Sequence, residues 1–201
     1  CHQAGLTHTV ASLGTALTDE HAKLLKRYVD RVGLIFDTDA AGLRAARRAG
    51  EPLLGAGLDV RVVHLQGAKD PDELLRREGP AALQAAVDGA QPLLEFCVQV
   101  GLRAAGPQPT PHQRAAVLAD SFPLLARLGS ASETDAALKA AAAAVGVSED
   151  AARSDYEAFK RGESRKAPPG VTASSVGTPA ALLPTKAPEA LVLVEREMLA
   201  L

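Results

Sequence analysis

The chain has 201 residues, enough for one full domain and a smaller second one, each with its own core. Its formal net charge of −2 excludes a protein that binds nucleic acid through overall positive charge. Any polyanion must be held by a local basic patch, by metal, or by a part of the protein outside this chain. No apolar stretch approaches membrane-spanning length and no secretory signal is visible, so we expect no membrane partner.

The two cysteines, Cys1 and Cys97, are far apart and neither belongs to a Cys-x-x-Cys pair. The sequence therefore predicts neither a zinc site nor a disulfide framework and favours an intracellular compartment. Because the chain begins with cysteine rather than methionine, we expect it to be part of a longer protein.

The first predicted strand runs from Thr9 to Leu13 and ends in Gly14 and Thr15. The glycine permits a tight turn or a close backbone approach, and the threonine offers a hydroxyl. An ordinary turn between a strand and a helix is the commoner explanation of such a pair. Thr18, followed by two acids, then predicts the start of a helix.

The second predicted strand is the apolar run from Val32 to Phe36, which leads directly into Asp37, Thr38 and Asp39. A short apolar run of this kind is typical of a buried parallel strand. Parallel sheets carry their chemistry at the carboxyl ends of strands, and two carboxylates there require a cation, above all Mg²⁺. The alternative is that the aspartates are only turn or cap residues.

A helix is predicted from Ala40 to about Leu54, with Pro52 expected to kink or shorten it. Its arginines (Arg44, Arg47, Arg48) could meet a phosphate backbone, although a solvated helix face is the commoner explanation.

The third predicted strand, Asp59 to Leu65, leads through Lys69 into a second acidic motif with Asp70, Pro71 and Asp72. Asp before Pro, with an acid three residues later, is also a near-ideal helix start. If the two strands are neighbours, however, four aspartates converge on one edge of the sheet, and a cluster that acidic needs cations. The coincidence of both motifs favours a metal site.

Beyond residue 92 the sequence predicts no further strand. Helical material before that point is broken at Gly79 and Pro80, and an all-helical region with caps at Thr110 and Ser148 follows. Residues 162–187 have the composition of a flexible linker, and a final amphipathic helix is predicted over 188–201.

Three motifs in this order resemble the Toprim domain of bacterial DnaG-type primases. They are the segments from Ser12 to Thr18, from Phe36 to Gly42, and from Asp70 to Glu73. The resemblance implies an α/β fold with a mainly parallel sheet flanked by helices, followed by an all-helical subdomain. It divides the chain into a catalytic domain (1–96), the helical subdomain of the polymerase core (97–161), a linker (162–187) and the start of a helicase-interaction domain (188–201).

The resemblance also implies RNA primer synthesis on a single-stranded DNA template from ribonucleoside triphosphates, at the bacterial replication fork in the cytoplasm. Two-metal catalysis with Mg²⁺ or Mn²⁺ would stabilise the attacking and leaving oxygens. A replicative helicase would bind the carboxyl-terminal region. The implied metal ligands and catalytic residues are Asp37, Asp39, Asp70 and Asp72; Gly14, Thr15 and Gly42 would shape the edge, and Lys69 or Arg44 would touch phosphate.

The sequence departs from the family in several places. Thr38 stands where glycine is usual, which changes the turn but removes no ligand. The family's metal-binding glutamate lies on a strand before the first residue of this chain, and the zinc module and basic lobe also precede it. We therefore expect no zinc in this portion and weak or no activity of the isolated chain.

Two alternatives stay open. One is a haloacid-dehalogenase-type phosphatase with Asp37 as a phosphorylated nucleophile, although the residues that follow are not those expected there. The other is a non-catalytic scaffold whose helical region and last helix bind a helicase or another partner.

Overall fold

A computed structural model describes residues 1–11, 17–36, 40–162 and 191–194. In these ranges the chain forms a small sheet flanked by helices, followed by a helical lobe. The strands are β1 (Thr9–Ala11), β2 (Arg31–Ile35), β3 (Asp59–Val63), β4 (Gln91–Pro92) and β5 (Leu191–Val194). The helices are α1 (Asp19–Lys26), α2 (Ala40–Gly55), α3 (Pro71–Glu78), α4 (Pro80–Asp88), α5 (Leu93–Ala105), α6 (Pro111–Ala119), α7 (Phe122–Leu125), α8 (Ala131–Val145) and α9 (Glu149–Lys160).

The sheet has the strand order β1-β5-β2-β3-β4. Strands β2 and β3 are parallel neighbours whose register runs from Arg31 opposite Asp59 to Ile35 opposite Val63. The other described pairs, β1 with β5, β2 with β5 and β3 with β4, are antiparallel. The predicted α/β class is confirmed, but the sheet is mixed rather than mainly parallel.

Both faces of the central strands are covered, as the apolar runs predict. Val32 and Leu34 of β2 are fully buried in a core that also contains residues of α2 and α5. Ile35 and Val63 belong to a separate buried cluster with Leu65 and Leu74, beside α3 and α4. Successive side chains on a strand point to opposite faces, so each strand contributes to both layers.

Local capping chemistry decides where the helices begin. The Thr18 hydroxyl accepts a hydrogen bond from the backbone N–H of His21, and Thr110 does the same for Gln113, whose side chain in return accepts from the Thr110 N–H. The predicted starts at Thr18, Thr110 and Ser148 are thereby confirmed. Pro52 is expected from the sequence to kink or shorten the second helix. The shortening is wrong, because α2 continues past Pro52 to Gly55.

The helical lobe has its own core beyond the sheet. Val98, Phe122 and Tyr156 are buried there, and the rings of Phe122 and Tyr156 meet edge to face with centroids 5.4 Å apart. The long helix α5 joins this core to that of the sheet, since Leu93 packs on the sheet side and Val98 on the other.

The predicted final helix over 188–201 is wrong at residues 191–194, which form strand β5. Leu191 pairs with Ile35 of β2 and with Ala11 of β1, and Val194 pairs with Val32. Hydrogen bonding to two neighbouring strands favours an extended conformation that a run of four apolar residues also permits. The remainder of the predicted helix lies outside the described residues.

Candidate metal-binding edge

The carboxyl ends of β2 and β3 define the candidate site. Because these strands are parallel and in register up to Ile35 and Val63, the segments that follow them leave the sheet at the same edge. The aspartate pair at 37 and 39 follows β2 by sequence, and the motif at 70–73 follows β3. The neighbouring-strand condition on which the metal hypothesis depended is therefore met.

Several predicted site residues lie outside the described residues, namely Gly14, Thr15, Asp37, Thr38 and Asp39. Gly42 lies in the first turn of α2, which begins at Ala40, directly after the first acidic motif. The roles predicted for these residues stay predictions.

Asp70 occupies the position that the helix-start hypothesis assigned to it. Its Oδ1 atom accepts a 2.8 Å hydrogen bond from the backbone N–H of Glu73, and Pro71 takes the first position of α3. The cap uses one carboxylate oxygen, and Asp70 is only half-buried. A role as helix cap and a role as metal ligand are therefore compatible in this side chain.

Asp72 lies in the first turn of the same helix and its side chain is 69% exposed. One of its oxygens is 3.0 Å from the guanidinium of Arg76, one turn further along. An exposed ion pair of this kind is weakly held, so it leaves the carboxylate available to a cation.

The loop between β3 and α3 is held by Arg77, for which the sequence predicts no role. Arg77 donates hydrogen bonds to the backbone carbonyls of Gly67 (3.1 Å) and Gln66 (3.2 Å), and its guanidinium is also bonded to Glu78. Gln66 and Gly67 both have positive φ, at 32° and 83°. Arg77 thus fixes a tight turn just before Lys69 and Asp70.

Lys69 takes part in the same local structure through its backbone. Its N–H donates a 2.8 Å hydrogen bond to Oε2 of Glu73, while its side chain is exposed. The phosphate contact predicted for Lys69 needs an exposed ammonium, and it stays a prediction.

The arginines of α2 divide into two kinds. Arg44 and Arg48 are exposed, in agreement with a solvated helix face. Arg47 instead packs inward, 3.8 Å from a carboxylate oxygen of Asp120 and beside the buried thiol of Cys97. Burial raises the pKa of the Cys97 thiol, and the charge of Arg47 opposes that effect.

Residues 1–11, 17–36, 40–162 and 191–194 contain no group of three or more His, Cys, Asp or Glu side chains placed to hold a metal ion. Asp70 and Asp72 nevertheless offer the hard oxygen donors that Mg²⁺ and Mn²⁺ prefer, in the segment that follows the carboxyl end of β3. The donor chemistry fits the implied ions. In the same described ranges, no helix combines the length and apolar character of a membrane span.

Comparisons with known proteins agree with this architecture. A family model described as Toprim-like matches residues 1–75. The DNA primase of Clostridium acetobutylicum is 42% identical over 95 residues, 47% of this chain and 16% of that protein. The DNA primase of Treponema pallidum is 32% identical over 163 residues, 77% of this chain and 26% of that protein.

Solved structures extend the similarity to the fold. A DNA primase domain from Pseudomonas aeruginosa matches with a TM-score of 0.59 and 33% identity, over 73% of this chain and 46% of that one. A DnaG primase catalytic domain bound to single-stranded DNA matches with a TM-score of 0.54 and 31% identity, over 69% of this chain and 45% of that one. The chain thus spans about a sixth of one of these curated relatives, about a quarter of the other, and under half of each of these structures. By sequence and by fold it belongs to the bacterial DnaG-type DNA primases, and it corresponds to a part of their catalytic core.

Proposed function

We propose that this chain supplies the metal-binding edge of a primase that synthesises short RNA primers on single-stranded DNA. The observation that supports the proposal is the parallel, in-register pairing of β2 and β3, which puts the carboxyl ends of both strands at one edge of the sheet. In the sequence an acidic motif follows each of these strands. The family relationship supports the reaction class, a metal-dependent nucleotidyl transfer by a DNA-directed RNA polymerase.

The proposed ligands of Mg²⁺ or Mn²⁺ are the four aspartates at 37, 39, 70 and 72. When bound, the ions supply charge neutralisation for the triphosphate, the attacking 3′ oxygen and the departing pyrophosphate. Within the chain itself, the cap on α3 fixes the Asp70 carboxylate by one oxygen and leaves the other for an ion. Gly14, Thr15 and Gly42 would allow close approach to the edge, and the exposed Lys69 and Arg44 would contact phosphate.

The proposed partners are the template strand, ribonucleoside triphosphates and the primer, with a replicative helicase contacting the carboxyl-terminal region. The protein would act at the bacterial replication fork in the cytoplasm. No zinc is assigned to this portion. The phosphatase alternative receives no support from the family relationship, and the scaffold alternative is compatible with weak activity of the isolated chain.

Metal titration tests the proposed site without requiring catalysis. In calorimetric titrations of the full chain with Mn²⁺, Asp37→Ala and Asp70→Asn are each expected to weaken binding at least tenfold, because each removes an anionic oxygen donor from a shared cluster. Asparagine is as good a helix cap as aspartate, so Asp70→Asn keeps α3 intact while it removes the charge.

Asp150→Asn is the matched control, since Asp150 is an acid in the first turn of α9 within the helical lobe. It should leave Mn²⁺ binding unchanged, and thermal unfolding should show that all three variants are folded. Wild-type affinity in both Asp37→Ala and Asp70→Asn would refute the shared site.

A further inference from the structure

A cavity of about 360 Å³ lies at the opposite end of the sheet from the carboxyl ends of β2 and β3. Asp30, just before β2, and Asp59, the first residue of β3, lie on its wall, whereas the proposed metal edge is at the other ends of these strands. The helical lobe closes the other side through Leu128 and α8. A ligand bound here would touch both lobes and would not reach the metal edge.

The wall of the cavity is apolar where it is buried. Leu54, Leu58 and Leu93 are at most 6% exposed, and they line the cavity together with Leu94 and Leu128. The volume is within the range of small ligand sites, about 300–1,000 Å³. Apolar groups that enter from solvent would therefore be favoured by burial against leucine side chains.

Four charged residues line the cavity, and three of them form ion pairs, which leaves one carboxylate without a cationic partner among the described residues. Lys26 is 2.6 Å from Asp30, and Asp59 is bonded to Arg31 (2.6 Å). Asp59 is also 3.2 Å from Arg61, so its charge is more than balanced. The fourth charged residue is Glu133 in the first turn of α8, and the described part of the chain provides it with no ion-pair partner within 4 Å.

We propose that this cavity docks a polypeptide segment in which a lysine is flanked by leucine-like side chains, with the lysine ammonium paired to Glu133. The apolar wall fits the flanking side chains and the aliphatic stem of the lysine, and the unmatched carboxylate fits its charge. A polypeptide fits better than a free amine, because the apolar wall spans both lobes and offers room for more than one side chain. The proposal is independent of the metal site.

Binding of short peptides to the full chain tests the proposal by backbone amide chemical shifts. The probe is acetyl-Leu-Lys-Leu-amide, and its neutral counterpart carries norleucine, which keeps the four-carbon chain without the ammonium. We expect the lysine peptide to shift the amides of Gly57 and Ala137, which line the cavity, and to bind at least fivefold more tightly than the norleucine peptide.

Glu133→Gln keeps the shape of the side chain and should abolish this preference, so that the two peptides bind equally. Glu149→Gln is the matched control: Glu149 is an acid in the first turn of the neighbouring helix α9 and does not line the cavity, so the preference should persist. Thermal unfolding of both variants should match the wild type.

Three results would overturn the proposal. The first is the absence of shifts at the cavity with any peptide. The second is equal binding of the lysine and norleucine peptides to the wild type. The third is binding of pentylammonium as tight as that of the lysine peptide, which would assign the cavity to a small amine rather than to a polypeptide.

Discussion

At the scale of single residues, Arg77 holds the turn that leads into the second acidic motif. Its guanidinium holds two consecutive backbone carbonyls of the turn that precedes Lys69 and Asp70. The position of Asp70 at a helix start is predictable from its neighbours alone. The role of Arg77 is not predictable, because a side chain that binds a loop ten residues earlier leaves no local pattern.

Arg77→Met is expected to loosen this turn, since methionine keeps an unbranched stem but donates no hydrogen bonds. Amide hydrogen exchange should become several-fold faster at Ala68, whose N–H is bonded to the Leu65 carbonyl, and at Lys69, whose N–H is bonded to the Glu73 carboxylate. Mn²⁺ affinity should fall in parallel if Asp70 is a ligand. Arg48→Met, at an exposed position of α2, should change neither quantity, and unchanged exchange in Arg77→Met would contradict the positioning role.

At the level of elements, two of the glycines in helix α2, Gly50 and Gly55, have opposite surroundings. A Cβ atom on Gly50 would overlap the Cδ2 methyl of Leu93, which is 1% exposed at the start of α5, whereas the nearest atom to a Cβ on Gly55 is Cδ of Arg127 at 4.0 Å. Gly50 therefore lets α2 approach α5 closely, whereas a side chain at position 55 would meet no steric obstacle.

Alanine substitution should separate these roles. Gly50→Ala is expected to lower the free energy of unfolding by about 1–2 kcal/mol, because overpacking outweighs the gain in helix propensity. Gly55→Ala should raise it by about 0.5 kcal/mol, since a helical glycine without steric need costs conformational entropy. Urea denaturation measures both. A stabilising Gly50→Ala would contradict the close approach of the two helices.

Elements defined by local chemistry were predictable and those defined by distant pairing were not. The starts of α1, α3 and α6 follow from Thr18, Asp70 and Thr110, whose capping signals act within three residues. Strand β5 has an apolar spacing that also suits a helix, and only its pairing with β1 and β2 decides the conformation. The mixed sheet escaped prediction for the same reason.

At the scale of the whole molecule, the sheet and the helical lobe share part of their cores. Leu94 and Leu128 pack against the buried cluster of the sheet and also against that of the helical lobe. Helix α7 contributes Leu124 to the first cluster and Leu125 to the second. Sharing of this kind favours unfolding of both parts in one step.

The two tyrosines allow the unfolding of the sheet and of the helical lobe to be followed separately. The chain has no tryptophan, and it carries Tyr28 after α1 on the sheet side and Tyr156 in the helical lobe. Tyr28→Phe leaves Tyr156 as the reporter of the helical lobe, and Tyr156→Phe leaves Tyr28, which is 56% exposed after α1, as the reporter of the sheet. Urea transitions followed by tyrosine fluorescence should coincide with the far-ultraviolet circular dichroism of the same variant.

Leu128→Ala should shift the urea midpoints reported by both tyrosines to the same lower value. We expect the free energy of unfolding to fall by roughly 1–2 kcal/mol, because the side chain of Leu128 is only partly buried. If the fluorescence of Tyr156 instead shifted to lower urea while that of Tyr28 stayed at the wild-type midpoint, the lobes would be separate folding units. In that case a segment docked in the cavity between them could alter their relative arrangement, whereas in a cooperative molecule it would add stability to both.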